Sequence, residues 1–209
     1  MWGRRFRLPS ADALMEPYAR RLPHIHPQAA WLFVTWRLAG CLPLRRDLLL
    51  PSGQPPPDTG AAFVAMDRQT DLAQRGPKWL ADPRTARIVV VTLLAGEQER
   101  QFYRLRAWVV MPNHVHVLWE PFVDMPAITR WVKGSTARQA NLLLGRTGRV
   151  FWQDESYDHW VRNRYQLEKT VRYIEWNPVH AGLARTPEDW PWSSAAWQAK
   201  PPAPQGSPW

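Results

Sequence analysis

The sequence predicts an α+β domain, a central antiparallel sheet with helices packed on it. Three observations carry that expectation. The runs "QFYRLRAWVVM" and "HVHVLWE" are rich in β-branched and aromatic residues and flank Pro112 and Asn113, which turn the chain, so they form a hairpin. Other stretches space their apolar residues at helical intervals and carry helix start and stop signals. With 209 residues and 45% hydrophobic content, the chain can bury one core of ordinary size.

Residues 1–28 form a basic N-terminal arm, with Arg4, Arg5, Arg7, Arg20 and Arg21 among few apolar residues. Residues 29–197 form the domain and 198–209 a proline-rich, disordered tail. Within the domain, "AAWLFVTWRL" (Ala29 to Leu38) is the first strand. Cys41 to Thr59, containing "PSGQPPPD", is a loop that proline excludes from helix and sheet. "AAFVAMDRQTDLAQ" has helical spacing, and "DPRTARIVVVTLLAGEQ" has Asp82 as N-cap and Pro83 at the first helical position, although its β-branched run Ile88 to Thr92 opposes helix. After the hairpin, "MPAITRWVKGSTARQANLLLG" is a helix closed by Gly145, and "RVFWQDESYDHWV" is a loop with short extended pieces. "NRYQLEKTVRYIEWNP" is a helix expected to end at Asn177, because Pro178 disfavours helical geometry in the residue before it.

Composition narrows the function. Lys and Arg number 27 against 18 Asp and Glu, a net charge of +9, so the natural partner is a polyanion, nucleic acid first among them. Fourteen tryptophans among basic residues suit stacking on unpaired bases, although core packing uses the same residues. The single cysteine, Cys41, excludes an internal disulfide framework and a cysteine-based zinc site. No segment has the apolar length of a signal peptide or of a membrane span, so the expectation is a cytoplasmic protein with no membrane partner.

The chemistry concentrates in "MPNHVHVLWEP" and "VRYIEWNPVHAGL". Strand alternation puts His114 and His116 on one face, ~7 Å apart along the strand, where they can converge on one ion. Two histidines bonded at a sheet surface give the same pattern, so a third ligand is needed. Tyr173 and Asn177, four residues apart, share a helix face. Packed over the histidines, Asn177 would complete a site for Mg²⁺ or Mn²⁺ and Tyr173 would be the nucleophile; otherwise Tyr173 is a half-buried helix tyrosine.

The ordered motifs "MPNHVHVLWEP", "FWQDESYDHWVRN", "YIEWNPVHAGL" and "PEDWPWSSA" resemble those of the REP-associated tyrosine transposases, a branch of the single-tyrosine HUH transposase superfamily. The resemblance runs from about Ala29 to Trp197. It implies a ferredoxin-like HUH endonuclease core. It also implies cutting and rejoining of single-stranded DNA near hairpins of repetitive extragenic palindromes, through a 5′-phosphotyrosine intermediate. By the same resemblance His114, His116 and Asn177 are the metal ligands and Tyr173 the nucleophile.

The partner is then single-stranded or hairpin DNA, bound by a monomer or a homodimer. Arg130, Lys133 and Arg138 on one helix are candidate phosphate contacts. Tyr165 is a backup nucleophile or a packing residue, Glu175 orients a ligand or solvates its helix, and Asp158, beside His159, caps or braces the helix that follows. Trp190 and Trp192 pin the tail to the core or stack on bases. Two departures from relatives, the proline-rich insertion around Pro55 to Pro57 and His180 in place of a basic residue, touch the grip on DNA rather than the chemistry. One rival reading is a catalytically silent, domesticated protein that binds hairpins. Another is a hydrolytic phosphodiesterase in which water attacks.

Overall fold

A computed structural model describes residues 18–19, 23–24, 30–41, 76–154 and 156–199. The expected helix over 61–74, most of the Cys41 to Thr59 loop, most of the arm and all but the start of the tail lie outside the described residues. Within the arm, β1 (Tyr18–Ala19) and β2 (Pro23–His24) pair antiparallel with each other.

Four strands make the main sheet: β3 (Trp31–Arg37), β4 (Tyr103–Val110), β5 (His114–Pro121) and β6 (Tyr157–Val161). Their spatial order is β4-β5-β3-β6 with every neighbouring pair antiparallel. Helix α1 (Pro83–Gln98) precedes β4 and helix α2 (Met125–Leu143) links β5 to β6. The β-α-β-β-α-β order with this strand arrangement is the ferredoxin-like core that the sequence led us to expect. A further helix, α3 (Arg164–His180), follows β6, and a short one, α4 (Ser194–Ala199), ends the described chain.

The two faces of the sheet are covered differently. Leu32, Val34 and Trp36 of β3 and Val115, Val117 and Trp119 of β5 pack with Val89, Leu93, Ile128 and Val132 of α1 and α2. Phe33 and Leu118 point the other way and pack with Ile174 of α3. Burial explains why the β-branched run of α1 is helical. Asp82 accepts a hydrogen bond from the Arg84 amide, Pro83 opens the first turn, and Val89 and Val90 are drawn into the core, outweighing a propensity deficit of tenths of a kcal/mol per residue, of the order ~0.5. Gly145, at φ 64°, closes α2 as its sequence implied.

The chain beyond α3 runs along the outer edge of β4. The Val110 amide donates to the Trp192 carbonyl (2.8 Å), Trp190 Nε1 donates to the Val110 carbonyl (3.0 Å), and the Trp108 amide donates to Ser194 Oγ (3.1 Å). Both tryptophans therefore pin the C-terminal segment to the core, and an otherwise open strand edge is satisfied.

Gly96 of α1 lies against Tyr103, whose buried hydroxyl donates to the Leu93 carbonyl (2.9 Å) and whose pKa burial pushes up. A Cβ at position 96 would overlap the Tyr103 ring. Gly96→Ala is expected to cost about 3 kcal/mol, read from the urea midpoint; a loss under about 1 kcal/mol would show that Tyr103 can move aside.

Candidate active site

The face of β5 opposite α1 and α2 carries His114 and His116. In the register of β3 against β5, Thr35 lies opposite His116 and Arg37 opposite His114. Residues paired across antiparallel strands share a face, so one polar cluster forms on a sheet that is otherwise apolar. The hairpin turn leading into β5 is held on both carbonyls: the Leu38 amide donates to Asn113 O (2.9 Å) and the Leu80 amide to Pro112 O (3.1 Å).

The imidazoles converge. Their Nε2 atoms are 3.0 Å apart, and both residues are buried, His114 at 1% and His116 at 0% exposure. The far nitrogen of each ring is also engaged: His114 Nδ1 with Asn113 Oδ1 (2.6 Å) and His116 Nδ1 with Thr35 Oγ1 (2.7 Å). Asn113 Oδ1 can only accept, so His114 donates from Nδ1, and in the neutral ring its Nε2 carries a lone pair directed at His116. Phe33 stacks on His116 (5.6 Å between centroids, 23°) and fixes that ring's plane.

Helix α3 supplies the rest. Asn163 caps it, its side chain accepting from the Gln166 amide (2.9 Å). Ile174 anchors it to the sheet, which turns Tyr173 and Asn177 toward the histidines. The Tyr173 and His116 ring centroids are 5.8 Å apart, Tyr173 meets Phe33 edge-on at 6.0 Å, and Asn177 Nδ2 lies 3.4 Å from His116 Nε2. The helix does not end at Asn177 as its proline implied; it continues to His180. Pro178 removes one amide donor, but the Ala181 amide reaches Asn177 O (3.0 Å) and the Leu183 amide reaches Pro178 O (2.8 Å), so the last turn stays bonded, and Gly182 at φ 70° ends it.

The donor set fits a small divalent cation. Two imidazole nitrogens 3.0 Å apart match adjacent corners of an octahedron whose bonds are about 2.1 Å. Asn177 is 1% exposed, and its Oδ1 has no hydrogen-bond partner among the described residues. A half-turn of the amide would present that oxygen to the same point, and an orphaned buried acceptor is costly without a ligand. Two imidazole nitrogens and an amide oxygen, with no thiolate, suit a divalent cation of this size.

Other expected residues fall elsewhere. Arg130, Lys133 and Arg138 sit on α2, behind the opposite face of the sheet, and Lys133 Nζ donates to the Asp154 carbonyl (2.8 Å). They are not brought to the histidines. Tyr165, in the first turn of α3, is 74% exposed. Asp158 does not cap α3: it lies mid-strand opposite Val34, and Asn163 is the cap. His159, opposite Phe33, is on the side of the site. Glu175 faces away and accepts from Ser194 Oγ (3.3 Å); burial raises its pKa, with Ser194 and Arg106 opposing. Sequence reasoning missed Thr35, Phe33, Arg37 and Asn113. Only Asn113, adjacent to His114, carried any local signal; the other three depend on strand pairing.

Residues 84–177 match the family model described as "Transposase IS200 like". The likeness to that family covers a little under half of the chain. The matched stretch opens in α1 and closes at Asn177, and so contains both histidines and Tyr173. The REP-associated tyrosine transposase of Escherichia coli (strain K12) is 32% identical over 95 residues, which are 44% of this chain and 54% of that protein. The chain thus spans about half the length of that relative. A solved structure described as the REP-associated tyrosine transposase bound to a REP hairpin aligns with a TM-score of 0.53 and 20% identity, over 91% of this chain and 89% of that one. It establishes the α+β fold with its four-stranded antiparallel sheet.

Partners of metal-ligating histidines typically govern affinity by 10- to 100-fold. Thr35→Val and Asn113→Ala are each expected to weaken Mn²⁺ binding by about that factor in calorimetric titration, with little change in thermal stability. Unchanged affinity in both would mean that these contacts do not orient the rings.

Proposed function

We propose that this chain cuts and rejoins single-stranded DNA, at or near a small hairpin, through a covalent bond to Tyr173. The convergence of the two buried Nε2 atoms, with Asn177 and Tyr173 above them on one helix face, carries the reading. A protein that only binds hairpins gains nothing from burying two imidazoles with their Nε2 atoms 3.0 Å apart, at a cost in desolvation.

His114, His116 and Asn177 would hold the divalent ion, Mg²⁺ or Mn²⁺, which when bound supplies Lewis-acid stabilisation of the scissile phosphate's oxygens. Asn113 and Thr35 keep the Nε2 lone pairs of His114 and His116 turned to that point. Phe33 and Ile174 fix the depth of α3, which sets the approach of the Tyr173 hydroxyl. The Tyr173 oxygen attacks phosphorus in line, forming a phosphotyrosine ester at the 5′ side as the bond to the 3′ oxygen breaks. The phenolic proton goes to solvent and the 3′ oxygen leaves with a proton as a hydroxyl. The ester keeps the energy of the broken bond, so attack by a 3′-hydroxyl rejoins strands without ATP.

The REP hairpin in the neighbouring structure and the net charge of +9 support hairpin DNA as the partner, bound by a monomer or a homodimer. No helix among the described residues is long and apolar enough to cross a membrane; with the single cysteine, this supports a cytoplasmic setting.

The test incubates the full chain with labelled single-stranded hairpin DNA from the flanks of its own gene, in Mn²⁺ or EDTA. A denaturant-resistant protein–DNA adduct is expected with Mn²⁺, absent with EDTA and reduced at least 1,000-fold in Tyr173→Phe, on the order of a lost nucleophile. Cleavage that survives Tyr173→Phe would make water the nucleophile, and hairpin binding without adduct would leave a silent binder.

A further inference from the structure

Helix α3 carries a second stripe beside the one that holds Tyr173 and Asn177. Tyr165, Lys169, Arg172, Trp176 and His180 recur at intervals of three or four and are all exposed. At 100° per residue they fall within about 80° of the helix circumference and span ~22 Å of its length. Tyr173 and Asn177 lie immediately to one side of that stripe. On the other side Glu168 is held by Arg164 (2.8 Å) and Glu175 turns into the protein toward Ser194, so neither carboxylate is directed along the stripe.

The stripe runs from one aromatic ring through two cations to a pair of rings. Tyr165 is 74% exposed, and Trp176, 39% exposed, lies against His180 with ring centroids 6.3 Å apart and a 35° tilt, which makes a two-ring ledge at the end nearest Asn177. Lys169 and Arg172 form no ion pair with a described residue. The Tyr165 ring, mostly in water, gains little from folding, and Trp176 keeps over a third of its surface open to a ligand. Rings at both ends of two cations that are unpaired among the described residues suit a strand that offers both bases and phosphates.

We propose that this stripe is a track for single-stranded DNA, with Trp176 and His180 stacking a base next to the scissile phosphate and Lys169 and Arg172 neutralising the backbone that follows. It rests on the reading of Tyr173 as the nucleophile for its direction, and extends that reading by assigning where the unpaired strand lies. It also locates phosphate contacts on the nucleophile's helix rather than on α2, where sequence alone had looked for them.

The test measures binding of the full chain to a fluorescein-labelled, unstructured DNA oligonucleotide by anisotropy, across a salt series. Trp176→Ala is expected to weaken binding about 5- to 100-fold, and Trp176→Phe to restore most of it. Arg172→Ala and Lys169→Ala are each expected to lower the salt slope by about 0.7. Arg87→Ala, which removes one charge from exposed α1 behind the sheet, is expected to bind as wild type. Wild-type affinity in Trp176→Ala and Arg172→Ala would overturn the track. So would an equal loss in Arg87→Ala, because binding would then follow net charge alone. Adduct formation separates this from the catalytic reading: if the stripe variants lose binding while wild type forms no adduct, the nucleophile fails and the track stands; if wild type forms adduct and the stripe variants bind and cleave normally, the track fails and the nucleophile stands.

Discussion

The pairing of β3 with β5 in a single register is the constraint from which the site follows. Thr35 opposite His116 and Arg37 opposite His114 are consequences of where Val34, Trp36, Val115, Val117 and Trp119 must go. These five side chains fill the core under α1 and α2, each worth about 1.5–3 kcal/mol when buried. A slip of one residue would expel them all and turn both imidazoles into the core. The apolar face of the sheet therefore aims the polar face, and the crowding of two nitrogens at 3.0 Å is affordable because the pairing is fixed by something stronger.

The same logic reaches α3. Its grip on the sheet comes from Ile174 and from the segment after it, in which Trp190 and Trp192 bond to Val110 at the edge of β4. Glu175, between these layers, accepts from Ser194, which in turn accepts from the Trp108 amide. Tyr173 and Glu175 thus project to opposite sides of one helix, one toward the histidines and one toward the clamp that holds the helix in place. Burial raises the Glu175 pKa because that clamp excludes water.

Much of this was legible in the sequence, and the limits are physical. The hairpin, the capped helix at Asp82 and Pro83, and the face shared by His114 and His116 follow from local rules of period and turn chemistry. Thr35, Phe33 and Arg37 were not legible, because a lone threonine in "WLFVTWRL" acquires meaning only when β5 is placed beside it. Of the two roles read for Asp158, capping fails because Asn163, five residues on, is the side chain that meets the first free amides of α3. The exit of α3 was set three residues too early on the rule for residues before proline, since carbonyls in the last turn can be satisfied from beyond it. Arg130, Lys133 and Arg138 were legible as a basic helix, but which side of the sheet that helix covers is a property of topology.

The claim on which the account turns is that His114 and His116 together bind one divalent ion. Electron spin-echo envelope modulation of Mn²⁺ bound to protein labelled with ¹⁵N-histidine measures it directly. Two histidine nitrogens coupled to the same manganese, reduced to one in His114→Ala, is the result predicted. Mn²⁺ coupled to no histidine nitrogen, or to one that survives in the double variant His114→Ala/His116→Ala, would contradict it.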